Sequence, residues 1–354
     1  MRGWVIAILL LLLGAVPASA LTPSQRAVVL TNACAGQFAT FNFAKNAGGG
    51  LYCWRGARRS TLLSVPGETF SRFSTGYAST AAGALVSFGF NQPRITDNGL
   101  LIEAASTNLF LNSFSPATQT ISLSATGNYT ISVWGTGSVT VAAGTATITN
   151  AGSASAGSPR TINCTGTGTI SVTVAGSPTA VQVEPGGFAT SPIATTGTPG
   201  TRAVDVTSTA FAYPSAFTEV FTVTLAPGYN GIYQYLKDLD DGAASNSVYF
   251  QQNNTSLFAN WYAGGVGQPS MNLGPVAYGS THTIAFSLQP GKLSVSMDGG
   301  ATQTVTGTAP TLTTNRQGQY ISGDYACGCY VRGDKVLSGA ASPAQLKSLS
   351  AGGF

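Results

Sequence analysis

The sequence predicts an all-β protein. Apolar and polar residues alternate over runs of roughly four to eight residues, the period of a half-buried strand. Glycine-containing turns separate these runs, and residues 118–192 show no helical period. Charged residues make up only 8% of the chain, so serine and threonine hydroxyls supply much of its polar surface. These features predict a small jelly-roll sandwich, then a larger antiparallel β-sandwich, after a short helical or loop region at the N-terminus.

The first 20 residues have the composition of a secretory signal peptide. Arg2 gives a positive start, residues 5–16 are an apolar run, and residues 18–20 (Ala-Ser-Ala) form a small-residue cleavage signature. The apolar run is too short for a good membrane span. We therefore expect a mature chain that begins at Leu21 and has no stable membrane span. The alternatives are an uncleaved anchor, or a chance apolar start on a chain that is never exported.

The region that follows, residues 21–65, predicts a short helix and a disulfide. Thr22 is a suitable N-cap, and Pro23 suits the first helical position. An exported chain tends to pair its cysteines, so we predict a bond between Cys34 and Cys53, which bracket a glycine-rich loop.

The other three cysteines give a less definite pattern. Cys327 and Cys329 lie on the same face of one predicted strand and would pair with each other only at some strain. The sequence does not decide whether they do. Cys164 is expected to be buried and unreactive.

Residues 94–113, RITDNGLLIEAASTNLFLNS, contain the motifs Arg-x-Thr, Gly-Leu-Leu-x-Glu and Thr-Asn-Leu-x-Leu-Asn-Ser. This pattern resembles bacteriophage tail-fibre and head-spike proteins, as do FSRFSTGY at 70–77, FATSPI at 188–193 and TRAVD at 201–205. The resemblance runs from about residue 66 to the end of the chain. It implies a segment that bridges an N-terminal attachment region to glycan-binding β-domains.

The C-terminal part resembles concanavalin A-like and laminin-G-like lectin domains. In that family an apolar strand, a tight turn and a strand that ends in Asp-Gly form a recurring hairpin, which matches residues 281–299 here. Residues 337–346 resemble the family's closing strand and short helix, with Ser342 as N-cap and Pro343 at the first helical position.

The predicted organisation of the chain follows from these patterns. It comprises a signal peptide (1–20), an N-terminal region (21–65), a bridging segment (66–117), a small jelly-roll domain (118–192), a linker (193–204) and a concanavalin A-like lectin domain (205–354).

The sequence offers little for catalysis. Glycoside hydrolysis generally needs two carboxyl groups that flank the bond. The Glu-x-Asp-x-Glu motif of the glucanases that share the concanavalin A-like fold is absent, and no glutamate has a second carboxylate at strand spacing. Glu103 and Glu184 are expected to fix loop backbones, and Glu219 opens a strand, where its side chain could be exposed. His282 is the one imidazole and lacks a Gly-x-Ser-x-Gly motif, so we expect a structural histidine and no catalytic residues.

Aromatic and amide side chains concentrate between residues 229 and 262. Sugar rings stack their apolar faces on aromatic rings, while amides hydrogen-bond their hydroxyl groups. Alternation places Trp261 and Tyr262 on opposite faces, so at most one belongs to the core. The alternative is that most of these aromatic rings pack between two sheets. The predicted glycan-binding residues are Tyr229, Tyr233, Tyr235, Asn253, Asn254, Asn260, Trp261 and Tyr262.

The densest acidic cluster, Asp238, Asp240 and Asp241, precedes Gly242. Calcium prefers such oxygen ligands, so a calcium site is one interpretation and a solvated turn is the other. No further cofactor is predicted. A net charge of +4 without a basic cluster beyond residues 55–59 disfavours nucleic acid as a partner.

The predicted function is that of a virion surface fibre or spike protein that binds host-cell polysaccharide during adsorption. Its partners would be that polysaccharide, other virion proteins and further copies of itself. The alternatives are an exported, prophage-derived bacterial adhesin or envelope protein, and a polysaccharide depolymerase. The expected location is the virion surface or the extracellular space.

Overall fold

A computed structural model describes residues 39–43, 51–55, 57–226, 233–253 and 256–352. Within these residues the regular structure is almost entirely β-strand, and the one α-helix, α1, spans Pro343–Gly352. The predicted all-β class is therefore confirmed. The predicted signal peptide (1–20), the predicted helix with Thr22 as its N-cap, and Cys34 lie outside the described residues.

Sheet 1 has ten antiparallel strands. They are β1 (Ala39–Asn42), β2 (Leu51–Trp54), β3 (Ala57–Arg59), β7 (Ile95–Thr96), β8 (Gly99–Ile102), β18 (Phe217–Leu225), β24 (Thr281–Gln289), β25 (Lys292–Met297), β26 (Gln303–Thr306) and β28 (Cys329–Ser338). The order is β26-β25-β24-β18-β28-β1-β2-β3, with β8 also paired to β28 and β7 paired to β8.

Sheet 2 has eight strands. They are β4 (Glu68–Ser71), β17 (Val206–Ala210), β19 (Tyr233–Asp240), β20 (Ser247–Asn253), β21 (Ser256–Ala263), β22 (Val266–Gly267), β23 (Met271–Pro275) and β27 (Thr314–Gln317). The order is β22-β21-β20-β19-β27-β17-β4, and β23 pairs with β21.

The core lies between sheets 1 and 2. Phe221 of sheet 1 meets Phe250 of sheet 2 edge to face, with 5.0 Å between ring centroids, and Phe286 packs against both rings. Trp261 is completely buried in the same cluster. Helix α1 covers the other face of sheet 1 through Leu346. Large buried aromatic side chains dominate the energetics of such a core.

Residues 106–202 form a unit inserted into this sandwich. Its strands are β9 (Ser106–Asn108), β10 (Gln119–Leu123), β11 (Gly127–Ala143), β12 (Thr147–Thr149), β13 (Gly152–Ser155), β14 (Arg160–Thr165), β15 (Gly168–Pro185) and β16 (Gly200–Arg202). The long strands β11 and β15 pair along most of their length, with a register shift between Trp134 and Gly135. The unit buries an apolar core of its own, separate from that of the sandwich.

The structure divides the chain differently from the predicted boundaries. Strand β1, from the predicted N-terminal region, lies between β28 and β2 in sheet 1, and β4, from the predicted bridging segment, ends sheet 2. The larger sandwich therefore includes strands that precede residue 205. Alternation predicts strands but not their distant partners, which is why the sequence placed these strands in separate regions.

Local predictions about cysteines and the C-terminal helix can be compared directly. Cys327 and Cys329 form a disulfide, with 5.1 Å between their Cα atoms, and Cys164 is free and buried. Cys53, on β2, is disulfide-bonded, but its predicted partner Cys34 lies outside the described residues. Ser342 precedes α1 and its Oγ accepts from the amide of Gln345, as predicted for an N-cap.

The remaining regular structure consists of a short hairpin and two turns. The hairpin joins β5 (Gly76–Ser79) and β6 (Leu85–Phe88). Single 3₁₀ turns span Leu62–Ser64 and Ile321–Gly323. Within the described part of the chain, no helix has the length and apolarity that crossing a membrane would require.

Candidate functional site

A cluster of tyrosine rings lies on the outer face of sheet 2, the face turned away from the core. Tyr235 is central, with its ring centroid 4.9 Å from that of Tyr249, 4.7 Å from that of Tyr320 and 5.8 Å from that of Tyr325. Tyr249 in turn stacks on Tyr262 at 6.2 Å. We call the surface formed by these five rings, with Tyr233 beside them, the tyrosine face.

Strand alternation explains how sheet 2 produces this surface. Along β21, Leu257, Ala259 and Trp261 are buried, while the residues between them are half-buried and point outward. Along β20, Phe250 is buried and its neighbours Tyr249 and Gln251 are half-buried. The two strands therefore line up tyrosine and amide side chains on one outer surface.

A β-bulge in β19 keeps its outward side chains in line with this surface. The pairing with β20 shifts between Tyr235 and Lys237, so that Leu236 is the extra residue. Lys237 consequently pairs with Phe250 and faces the core, whereas Asp238 pairs with Tyr249 on the outer side. Bulges of this kind re-aim side chains within a strand.

The other two tyrosines belong to a loop, residues 318–327, that docks along β19. The amide of Tyr235 donates to the carbonyl of Tyr325 at 3.0 Å, and the amide of Gly318 donates to the carbonyl of Leu236 at 3.1 Å. The disulfide between Cys327 and Cys329 lies where this loop enters β28. Tyr325 is 54% exposed and so remains accessible at the rim of the face.

Asp238 is the unusual acidic residue of this region. It is fully buried, and neither of its carboxyl oxygens has a hydrogen-bond partner. Burial, together with the nearby charge of Asp240, raises the pKa of Asp238 well above its usual range. A buried carboxyl without partners is costly to ionise, so it holds its proton instead.

The three aspartates do not converge on a metal site. Asp240 is paired with Arg316, whose Nη2 lies 3.2 Å from Oδ1, and its Oδ1 also accepts from the amide of Gly242. Asp241 points instead to Asn246, 2.8 Å away. Within the described ranges no group of three potential metal-binding side chains occurs. Asp238 and Asp240 are fully buried on β19 and only Asp241 follows the strand, so the cluster is not the solvated turn of the second interpretation, and calcium binding stays a prediction.

The structure brings several of the predicted glycan-binding residues together. Tyr233, Tyr235, Asn253, Asn260 and Tyr262 lie on strands β19 to β21 and point to the outer side of sheet 2. Two others, Tyr229 and Asn254, lie outside the described residues.

Trp261 does not belong with them, and its inclusion in the site was wrong. It is fully buried between the sheets, and its Nε1 donates to the carbonyl of Pro269 at 2.9 Å. Tyr249, Tyr320 and Tyr325 were missing from the predicted site. The alternation of β20 would have placed Tyr249 beside Tyr262, but Tyr320 and Tyr325 reach the face only through the docking of a distant loop.

Glu219 is buried, not exposed as the sequence suggested. It lies between the sheets, 2.7 Å from Lys237 Nζ, and Asp334 lies 2.6 Å from the same nitrogen. Burial and the charge of Asp334 raise the pKa of Glu219 to about 8, although Lys237 opposes the shift. Glu219 and Asp334 thus form a carboxyl pair on adjacent strands. Because both carboxyl groups and Lys237 are fully buried, a glycosidic bond cannot reach the pair.

His282 takes part in a hydrogen-bonded chain. Ser280 Oγ lies 2.6 Å from His282 Nε2, and His282 Nδ1 lies 2.6 Å from Asp298 Oδ2, the order of contacts in a serine-hydrolase triad. Ser280 Oγ also donates to the carbonyl of Ala277, however, so its proton points away from the imidazole. Asp298 Oδ1 accepts from the amide of Thr283 at 2.8 Å and thereby ties the turn after β25 to β24. This geometry agrees with a structural role for His282.

The motif residues of the phage-like pattern meet at the junction of the inserted unit and the sandwich. Arg94 pairs with Glu103, at 2.6 Å, and with Asp205; Arg72 pairs with Asp205 at 3.0 Å, and Arg202 with Glu103 at 3.3 Å. These five side chains, which we call the junction cluster, are almost completely buried. The motifs therefore mark a structural connection.

Two glutamates fix loop backbones there, as predicted. Glu103 accepts from the amide of Ser191 at 2.7 Å, and Glu184 accepts from the amide of Thr190 at 3.0 Å. Burial alone would raise the pKa of Glu103, but Arg202, Arg94 and the hydrogen bonds of Ser191 lower it to about 2.

Comparison with known proteins gives fold neighbours only. No protein-family model matches the sequence, and no curated protein is similar to it. The carbohydrate-binding module (CBM40) of the Ruminococcus gnavus IT-sialidase, bound to α2,3-sialyllactose, matches with a TM-score of 0.33 and 13% identity, over 41% of this chain and 84% of that one. A SAP-like pentraxin from Limulus polyphemus matches with a TM-score of 0.31 and 11% identity, over 41% and 74%.

Sheep galectin-11, in complex with glycerol, matches with a TM-score of 0.29 and 10% identity, over 37% of this chain and 96% of that one. These neighbours are jelly-roll and lectin-like domains. At these identities and scores the likeness says nothing about ligand or activity. None of the three is a phage protein, so the phage-fibre resemblance stays a prediction.

Proposed function

We propose that this chain binds polysaccharide through the tyrosine face and does not cleave it. The observation that carries the proposal is the cluster of half-buried and exposed rings that surrounds the buried Tyr235, beside the outward amides Gln251, Asn253 and Asn260. Aromatic rings present apolar surface and polar tips at once, which suits the C–H faces and hydroxyl groups of a sugar. Such sites typically combine apolar area with a few oriented polar groups.

The biological role we propose is adsorption, with the protein as a fibre or spike at the virion surface and host polysaccharide as its ligand. The phage-like motifs of the junction cluster support this role. Each site would be weak, and several copies on one particle, together with other virion proteins, would raise the overall strength through effective concentration. Binding of this type needs no cofactor.

Two alternatives follow from particular features. The signal-peptide-like composition of residues 1–20 favours an exported, prophage-derived adhesin or envelope protein. A depolymerase has less support, because the carboxyl pair of Glu219 and Asp334 is enclosed between the sheets.

A glycan array probed with the full chain tests the proposal. We expect Tyr262→Ala and Tyr325→Ala to weaken retention of any glycan that the wild type binds, with little change in melting temperature, because neither side chain belongs to the core. Phe90→Ala is the matched control, since Phe90 is 65% exposed but lies outside the tyrosine face.

If both tyrosine variants bind like the wild type, the site lies elsewhere on the molecule. Release of reducing sugar from host polysaccharide by the wild-type protein would reject binding without cleavage and would favour the depolymerase alternative.

A further inference from the structure

The charge around the tyrosine face differs from that of the whole chain. The protein carries a net charge of +4, yet between Arg202 and Lys292 the only lysine or arginine is Lys237. Lys237 points into the core, where Glu219 and Asp334 neutralise it. The strands that form the face therefore bring no cation to its surface.

The one arginine on the outer side of sheet 2 is already occupied. Arg316 of β27 binds Asp240 through both Nε and Nη2, and its side chain is only 12% exposed. A bidentate contact of this kind pairs the arginine with a carboxylate of the protein itself. Because Asp240 already neutralises it and its side chain is largely buried, Arg316 offers little uncompensated positive charge to an anionic ligand.

Acidic groups, by contrast, surround the rings. Asp241 follows β19, and the exposed Asp324 lies between Tyr320 and Tyr325 in the docked loop. Asp238 holds its proton, so the negative charge of this region comes from Asp241 and Asp324. A ligand that carried a negative charge would meet these groups without a compensating cation.

We propose that the tyrosine face selects uncharged glycans and excludes glycans that carry carboxylate or sulfate groups. This inference rests on the proposed function, because it assigns the ligand class of the same site. Ring stacking and hydrogen bonds to neutral hydroxyl groups supply the attraction, and the uncompensated acidic groups supply the discrimination.

The experiment uses the full chain on an array of neutral oligosaccharides, each printed beside its sialylated, uronic-acid or sulfated counterpart. We expect each acidic counterpart to bind at least about tenfold more weakly than its neutral partner, as expected for like charges in close contact. Gln251→Arg, and Asn253→Arg as a second variant, place a cation on the face and should reduce that ratio several-fold.

Thr306→Arg is the matched control, because it makes the same charge change at an exposed position of sheet 1. It should leave the ratio unchanged. An equal response of Gln251→Arg and Thr306→Arg would mean that net charge governs the selectivity, which would overturn the inference. Stronger binding of the acidic counterparts by the wild type would also overturn it, but would leave polysaccharide binding intact. Failure to bind any glycan would defeat the proposed function itself.

Discussion

The junction cluster and the tyrosine face each contain a buried carboxyl group, but the pKa values of these two groups shift in opposite directions. In the junction cluster, Glu103 is held by Arg94 and Arg202, and its pKa falls to about 2. On the tyrosine face, Asp238 is equally buried but has no hydrogen-bond partner, and its pKa rises. The region with recognisable sequence motifs thus pairs its buried carboxylates with arginines. The region with no motif keeps a buried carboxyl group without a hydrogen-bond partner, which is typical of a site that contacts something else.

The strongest test of this contrast is the removal of one junction cation. Arg94→Ala leaves Glu103 and Asp205 with fewer partners in a buried setting, and breaking such a pair typically costs about 3–5 kcal/mol. We expect a loss of that size in the free energy of unfolding, measured by urea denaturation. Lys347→Ala, at an exposed position of α1, should change stability by less than about 0.5 kcal/mol. A loss of similar size in both variants would show that the junction cluster is not specially stabilising.

The second test compares neighbours on β21. Trp261→Ala should lower the free energy of unfolding by roughly 3–5 kcal/mol, because it empties a fully buried site in the core. Tyr262→Ala should cost far less, because its ring is half-buried on the outer face. Thermal denaturation of both variants decides the point, and equal melting temperatures would contradict the burial difference.

The third test uses pH, because Glu103 and Asp238 affect the stability of the protein in different pH ranges. Glu103, with its lowered pKa, contributes stability that is present above its unfolded pKa of about 4.3 and is lost as the pH falls towards 2. Asp238, with its raised pKa, keeps a proton that the unfolded chain has lost. It therefore reduces stability as the pH rises from about 4, by up to about 1.4 kcal/mol per pH unit.

Asp238→Asn separates these contributions. The variant should keep the acid-side loss that belongs to Glu103, whereas its decline in stability above about pH 4 should be shallower than that of the wild type. Denaturation curves measured at a series of pH values check this expectation. Parallel profiles for the two proteins would show that Asp238 does not hold a proton in the folded state.

The smallest effect is expected from a single hydroxyl group on the tyrosine face. Tyr249 and Tyr262 share a hydrogen bond that contributes to the raised pKa of Tyr249. Tyr262→Phe removes it and should cost no more than about 1 kcal/mol, because hydrogen bonds near the surface contribute little net stability. Chemical denaturation measures the loss in free energy of unfolding. The control is Tyr77→Phe, which removes the hydroxyl group of an outward tyrosine on the β5–β6 hairpin. A cost comparable to that of Arg94→Ala would mean that the face is as tightly coupled as the junction cluster.

The sequence predicted the fold class and many outward side chains because both depend on local alternation. The opposed orientation of Trp261 and Tyr262 is an example, although alternation alone could not say which of the two faces the core. Glu219 was misjudged because a carboxyl group is normally exposed, whereas this one shares the core-facing side of β18 with Phe217 and Phe221 and is paired there with Lys237.

Contacts between segments that are distant in the sequence could not be predicted. Tyr320 and Tyr325 reach the tyrosine face only because the loop that holds them, with a 3₁₀ turn at Ile321–Gly323, docks on β19. No local pattern reports such a contact between segments about 85 residues apart. The same limit applies to the insertion of residues 106–202, whose ends meet where the amide of Asp205 donates to the carbonyl of Glu103 at 3.1 Å.

The position of β1 has a consequence for synthesis on the ribosome. Ala39–Asn42 pairs with residues 333–336 of β28, so one of the first strands to emerge must wait for one of the last before its backbone is satisfied. The inserted unit, whose strands pair among themselves, is complete much earlier and can fold while the sandwich is still unfinished. During that interval the early strands present unpaired edges, which makes this the stage at which the nascent chain is most exposed to aggregation.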